Sequence, residues 1–516
     1  MKASRADYSE SGINRGGARA SERAQLIVVN RLAPPVASPR YTCTHAIMIR
    51  KPIALALLLA PALFAASNPW YQTDFPPEEF RARWNKLFDK MGNQAIGVLQ
   101  GAPLTNGFTM PRQSNDFYYL CGVETPHAYL VLDGRTRKVT LYLPPRNARL
   151  EAAEGKVLSS EDAELAKRLT GVDQVLSSDG LRLDAAAIYT PFTPAEGNSQ
   201  SRHELEAANA SIANDPWDGR IPREARWVEL LRTRYPRAKV QDLTPWVDEL
   251  RSVKSTREIA LIRRASQLAG LGCMEAIRSS RPGRFEYELD AAARYVFLVN
   301  GARLEGYRSI VAAGNDNIWN MHYYRNTGEL RDGDLVLFDY APEYRYYTSD
   351  IGRMWPVNGK YSAPQRELVG FVLEYRNAII QRIRPGVTAA QVMEEARLAM
   401  DAVFARWKFS KPAYEQAARV LVSKGGGVFS HPVGLTVHDD GAYIRGPLEP
   451  GQVFSIDPQM RVPEENLYIR YEDTVVVTRD GVENFTAFLP SRLDDIEKLM
   501  REPGIVAKVP PSPETR

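Results

Sequence analysis

Cysteine and histidine are the scarce residues of this 516-residue chain, three of the first and six of the second. Cys43, Cys121 and Cys273 form no C-x-x-C pair, which argues against a disulfide framework and against a thiolate zinc site. A chain of this size buries enough apolar area without crosslinks. A basic body is also missing. The net charge of +4 resides in the amino terminus: residues 1–51 carry nine Lys/Arg against three Asp/Glu, and the remainder carries 57 basic against 59 acidic residues. That balance gives no stripe for nucleic acid. No period of 20–50 residues recurs, which excludes a repeat architecture. At 44% hydrophobic and 25% charged residues, the composition is that of a globular chain with two or three domains, neither disordered nor collagen-like.

The apolar run Ile53–Ala66 is fourteen residues long, short of a bilayer span. Arg50-Lys51 precede it and Ala65-Ala66-Ser67 close it. A basic stretch, an apolar stretch and small residues describe a secretory signal peptide. Met48 then reads as the start, residues 48–66 as the signal, and residues 1–47 as a non-structural extension. The expected location is secreted or periplasmic, with no stable membrane insertion after processing. An organelle transit peptide is the competing reading, since residues 1–47 are also poor in acids.

Two regions follow, 70–245 and 246–500, with a Pro-rich, disordered tail at 501–516. In the first, Pro76-Pro77-Glu78-Glu79 opens a helix with Phe80, Trp84, Leu87 and Phe88 on one face. Strands are predicted at 95–99, 128–132 and 139–143, with Asp133-Gly134 turning the last two into a hairpin. Helices are predicted at 160–170 and 224–235. The polar, Pro- and Gly-punctuated stretch Thr193–Pro222 reads as a long surface loop. The region is mixed α/β. In the second, Ser255-Thr256-Arg257-Glu258 is a capping box opening a long helix. Strands are predicted at 310–313, 335–340, 345–351, 452–456 and 467–477 among further helices, an α+β pattern.

Carboxylates stand in those strands, where they are not expected. Asp339 lies inside Leu-Val-Leu-Phe-Asp-Tyr, and Asp350 ends the next strand; a hairpin would bring the two together. Asp457 follows Val-Phe-Ser-Ile. Arg470 and Glu472 are two apart and so share one face of a strand. His431 and His438 are seven apart. A buried, ionised carboxylate must be paired, protonated or metal-bound. Four together are neutralised by two divalent cations. Oxygen donors with one imidazole suit manganese or a similar ion, and two such ions would activate water and polarise a carbonyl. Taken singly, each residue also has a structural reading: Arg470 could simply neutralise Glu472 or Asp473, and His322 could be a hydrogen-bonded loop residue.

The order Asp339, Asp350, His431, Asp457-Pro, Arg470-x-Glu472-Asp473 resembles that of the pita-bread metallopeptidases, and most closely aminopeptidase P. Arg112-Gln113-Ser114-Asn115-Asp116-Phe117-Tyr118-Tyr119-Leu120 with Gly122 resembles that family's amino-terminal domain. Tyr307–Val311, Met321-His322-Tyr323, His431–Asp439 and Ile469–Asp473 resemble its substrate-pocket, histidine and last-ligand segments. The resemblance implies an α+β pita-bread catalytic domain over 246–500, preceded by a smaller mixed α/β domain. It implies that Asp339, Asp350, His431, Asp457 and Glu472 bind two divalent ions, manganese with zinc or cobalt as alternatives, and that Asp350 and Glu472 bridge them. His322 and His438 would contact the substrate, Tyr307 would line its pocket, and Arg470 would support the site. Two departures stand out. The family usually has glutamate where Asp457 stands, also a candidate general base, and a histidine where Gly427 stands. The expected activity is removal of the amino-terminal residue from peptides with proline second, by a peptide-binding enzyme that forms a dimer or tetramer. The alternatives are a prolidase acting on Xaa-Pro dipeptides and a pita-bread binding protein with a degraded site.

Overall fold

The computed structural model describes residues 70–105, 109–321, 323–424, 429–441 and 443–508. The proposed signal and extension, the tail from 509, His322 and Gly427 lie outside the described residues.

Pro77–Met91 forms the expected opening helix. Pro at its start and Glu78 and Glu79 in its first turn favour that end, and Phe80, Trp84, Leu87 and Phe88 are buried. The helix packs near a six-stranded sheet. Its central strands, Ala95–Gln100, Tyr129–Asp133 and Lys138–Leu143, are antiparallel neighbours. Gln174–Ser177 joins one side in parallel, and Ala187–Thr190 with Lys239–Asp242 join the other.

After Lys239–Asp242 come the helices Thr244–Ser252 and Thr256–Ser279. Ser255 and Glu258 complete the capping box of the second. Long helices at Glu286–Val299, Ala363–Ile380 and Ala389–Arg406 surround two sheets. One contains Ile310–Ala313, Leu335–Asp339 and Gly352–Pro356. The other contains Phe429–Pro432, Val453–Ile456, Asp473–Val477 and Val482–Asn484. A short hairpin, Gln459–Val462 with Leu467–Arg470, stands beside them.

The two sheets meet through Gly352. It pairs with Asp339 on one side and exchanges both backbone hydrogen bonds with Glu472 on the other, at 3.2 and 2.9 Å. A Cβ at this position would stand 3.0 Å from that of Glu472. The absence of a side chain therefore lets the strands approach.

Four expectations need correction. Of the disordered tail expected at 501–516, residues 501–508 are ordered: Ile505–Ala507 forms a 3₁₀ turn, and the Ile505 N–H donates to Glu275. Thr193–Pro222 is not all loop, because Arg202–Asn214 is helical. Its residues, Arg-His-Glu-Leu-Glu-Ala-Ala-Asn-Ala at the start, include good helix formers. Residues 345–351 are not a strand: Tyr344–Tyr347 is a tight turn and the strand begins at Gly352. Residues 467–477 are two strands, interrupted at Tyr471 and Glu472.

Candidate active site

The carboxylates converge at the junction of the two sheets. Asp339 ends its strand opposite Gly352, and Glu472 lies across from Gly352 on the far side. Asp350 precedes Gly352 by two residues, and Asp457 follows the strand that pairs with Asp473. Asp339, Asp350, Asp457 and Glu472 are all buried, between 0% and 3% exposed. Side-chain oxygens of Asp339, Asp350 and Glu472 lie within 4.8 Å of one another.

Three of the four acids share one cation. Arg470 donates from Nη1 to Asp339 at 2.6 Å, from Nε to Asp457 at 2.9 Å and from Nη2 to Glu472 at 2.6 Å. The fixed fork of a guanidinium permits this; an ammonium would not span it. Tyr307 Oη lies 2.7 Å from Asp339 and 2.9 Å from Asp350. The hydroxyl has one proton to donate and stands within reach of both carboxyl groups. Ser455 and Gln459 donate to Glu472 and Asp457.

Electrostatics divide the acids. Burial, reinforced by Asp350 and opposed by Arg470, pushes Asp339 up to about 7. Burial also raises Glu472, with repulsion from Asp350, Asp457 and Asp339 acting against Arg470. Asp457 is raised by burial despite Arg470. Asp350 goes the other way: burial is outweighed by the His431 hydrogen bond and charge, and it falls to about 2. For His431, burial alone would lower the value, but Asp350 raises it. Four carboxyl groups thus face one arginine and one imidazole, and the raised acids hold protons in place of further positive charge.

The histidines adjoin Asp350. His431 Nε2 is 3.2 Å from Asp350, and its Nδ1 is 3.1 Å from the Pro432 carbonyl. The second contact orients the ring, as metal-ligating histidines require. His438 lies against it, with ring centroids 4.1 Å apart, and nitrogens of both rings fall within 4.8 Å of Asp350. The donor set is therefore hard oxygens with imidazole, close-packed and able to give up protons to a cation, which fits divalent ions. A cavity of about 270 Å³ opens beside it, lined by Tyr307, Tyr324, Asp339, His438 and Arg470 among others.

The structure brings together Tyr307, Asp339, Asp350, His431, His438, Asp457, Arg470 and Glu472. His322 lies outside the described residues. Sequence reasoning missed Ser455 and Gln459, which bond the acids, and His203 and Glu204, which the helix at Arg202–Asn214 carries to His438, with Glu204 on the wall of this cavity. The helix-forming composition of that segment was the available signal. Asp439 supports the histidine loop from beneath: it is buried against Arg251 and lies 3.0 Å from Lys254.

Comparison with known proteins agrees in sequence and in structure. Residues 260–479 match Metallopeptidase family M24, and residues 80–190 match the Aminopeptidase P, N-terminal domain. The chain is 30% identical over 454 residues to a Haemophilus influenzae Xaa-Pro aminopeptidase, covering 83% of this chain and 99% of that one. It is 32% identical over 446 residues to the Escherichia coli Xaa-Pro aminopeptidase, covering 82% and 97%. Among solved structures, proline aminopeptidase P II from Yersinia pestis superposes with a TM-score of 0.65 at 32% identity, over 83% of this chain and all of that one. Zinc-substituted Escherichia coli aminopeptidase P in complex with product gives 0.66 at 29% identity, over 83% and 99%.

Proposed function

This chain belongs to metallopeptidase family M24, in its aminopeptidase P branch, and on that premise we propose that it releases the first residue of peptides whose second residue is proline. Its metal-dependent aminopeptidase activity follows from the family; the proline preference is drawn from the relatives' names. The observation that carries the reading is the packing of Asp339, Asp350 and Glu472 oxygens within 4.8 Å of one another beside an open cavity.

Asp339, Asp350, His431, Asp457 and Glu472 would hold two divalent ions, manganese in this reading. Bound there, the ions supply an activated water and Lewis acidity toward the scissile carbonyl. Arg470 keeps the carboxylates in place by its three-way fork. His438 faces the cavity and would donate to the developing oxyanion, with His322 contacting the substrate. Tyr307 forms part of the cavity wall. Asp457, or a water next to it, would take the proton from the attacking water and pass it on.

The test is product analysis with Ala-Pro-Ala, Ala-Pro and Ala-Ala-Ala on the manganese-loaded protein. Release of alanine from the first, with little from the third, supports the reading. Cleavage of the dipeptide alone would make the protein a prolidase. No cleavage of any of them by protein that holds metal would make it a binding protein.

We also propose a secreted or periplasmic location, supported by the signal-like residues 48–66. Among the described residues no helix is long and apolar enough to cross a membrane. Amino-terminal sequencing of the protein from cell fractions tests this: a mature start near residue 67 in the exported fraction is expected. A dimer or tetramer belongs to the same reading, and sedimentation equilibrium measures it.

A further inference from the structure

The helix Arg202–Asn214 is an unusual wall for an active site, because Arg202 is its one buried residue. It is held by its first turn. Arg202 Nη1 bonds both oxygens of Asp248 at 2.9 and 2.8 Å, and Nη2 lies 3.1 Å from Asp440. Ser201 Oγ is 2.8 Å from Thr436 Oγ1, which donates to the Gln200 carbonyl at 2.9 Å. The turn is thus fastened to the loop that joins His431 to His438.

This fastening sets His203 against His438. Their rings are tilted by 24° with centroids 5.0 Å apart, and His203 Nε2 is 3.4 Å from His438 Nδ1. That separation is long for an N–H···N hydrogen bond. It matches the edge of a tetrahedron, about 3.3–3.4 Å, for two nitrogens each about 2.0–2.1 Å from a zinc ion. Glu204, on the same turn, supplies a third donor: one ligand atom from each of His203, Glu204 and His438 lies within 4.8 Å of the others. His203 and Glu204 are exposed, so an ion reaches them without opening the core. Two cavities meet at this point, one lined by His203, His431 and His438 and the other by Glu204, Asp339 and His438.

We propose that His203, Glu204 and His438 bind a zinc ion at the rim of the active-site cavity, in addition to the ions of the buried carboxylate cluster. Two imidazoles and one carboxylate leave a fourth position for water, the ligand set of an accessible zinc site. The preference is for a borderline cation over manganese or magnesium, which favour oxygen donors. Occupancy engages His438 Nδ1 and ties the surface helix to the cavity.

The test is equilibrium dialysis of the full chain against rising zinc, with metal counted per chain, for the wild type, His203→Ala and Glu204→Ala. The wild type is expected to show a last binding step of one zinc that His203→Ala loses or shifts to at least about tenfold higher zinc, with Glu204→Ala shifting it in the same direction. With manganese as the only metal, His203→Ala is expected to keep wild-type turnover. Superimposable isotherms for the wild type and both variants overturn the proposal. The comparison is a difference between isotherms, so it is read independently of how the buried cluster fills or which peptides are cleaved. Both substituted residues are exposed, and a native circular dichroism spectrum verifies that each variant is folded.

Discussion

Arg470 and Asp339 meet at 2.6 Å although they lie 131 residues apart in the chain, and the same guanidinium also holds Asp457 and Glu472. It is the main fixed positive charge inside a nest of four acids. Arg470→Ala should destabilise the metal-free protein by about 3–5 kcal/mol, the scale for removing one partner of a buried ion pair. On the proposed ligand assignment, divalent ions would supply positive charge at the same carboxylates, so the loss should be smaller in metal-loaded protein. Thermal unfolding with chelator and with manganese measures both. Equal losses in the two conditions would show that Arg470 packs the site without balancing its charge.

The raised acids make metal uptake a proton exchange. Asp339 stands at about 7 in the fold against about 3.9 unfolded. Its folded value is raised, so its contribution to stability is full below about pH 4 and is lost as pH rises toward 7. Glu472 shifts in the same direction. Asp350, lowered to about 2, acts oppositely: its contribution is present above about pH 4 and is lost as pH falls through 2. Metal binding at pH 6 should therefore release protons, and affinity should rise as pH approaches 7. Calorimetry in two buffers of different ionisation enthalpy detects the release. Identical apparent enthalpies in both buffers would contradict the assignment.

The two motif histidines should separate by assay. His431 Nε2 contacts Asp350, so His431→Ala should lower metal occupancy. His438 lies beside it with its ring tilted by 57° and lines the cavity. His438→Ala should cut turnover by about 10²–10³-fold, the scale for one transition-state donor, with metal content in the buried cluster near normal. Metal analysis and kcat on one preparation of each variant decide the matter; the reverse pattern would exchange the two roles.

The site was legible where chemistry is local to a motif, and illegible where it depends on geometry. Acids inside apolar strands stand out because burial without a partner is costly. Their convergence was foreseen, but not its route. Asp339 pairs with Gly352, not with Asp350, because the chain turns at Tyr344–Tyr347. Arg345 and Tyr346 there adopt φ of 51° and 74°, which side chains rarely announce in a sequence. The break at Glu472 was hidden because β-branched and aromatic residues run through Leu467–Val477 with no Gly or Pro to mark it. His203 escaped notice because its partner is 235 residues away and its segment is punctuated like a loop.

Asp457 leaves the family pattern, and the structure shows what accompanies the change. One oxygen accepts from Arg470 Nε at 2.9 Å, and the other accepts from Gln459 Nε2. Gln459 is itself paired with Arg470 across the hairpin. The short acid is fully buried and the half-buried long amide caps it. Proline at 458 holds Asp457 to extended backbone, so the backbone offers little adjustment. A glutamate would carry the carboxylate about 1.5 Å farther, one C–C bond, into the space that Gln459 occupies. Asp457→Glu should therefore cost about 1–3 kcal/mol by overpacking and reduce turnover. Asp457→Glu with Gln459→Ala should recover part of both, because the amide no longer competes for that volume. The comparison is a double-mutant cycle in unfolding free energy and kcat/KM, with a coupling of at least about 0.5 kcal/mol expected between contacting residues. If Asp457→Glu alone instead gains metal affinity and turnover, the native site is impaired by its short acid, and Gln459 is not its counterpart.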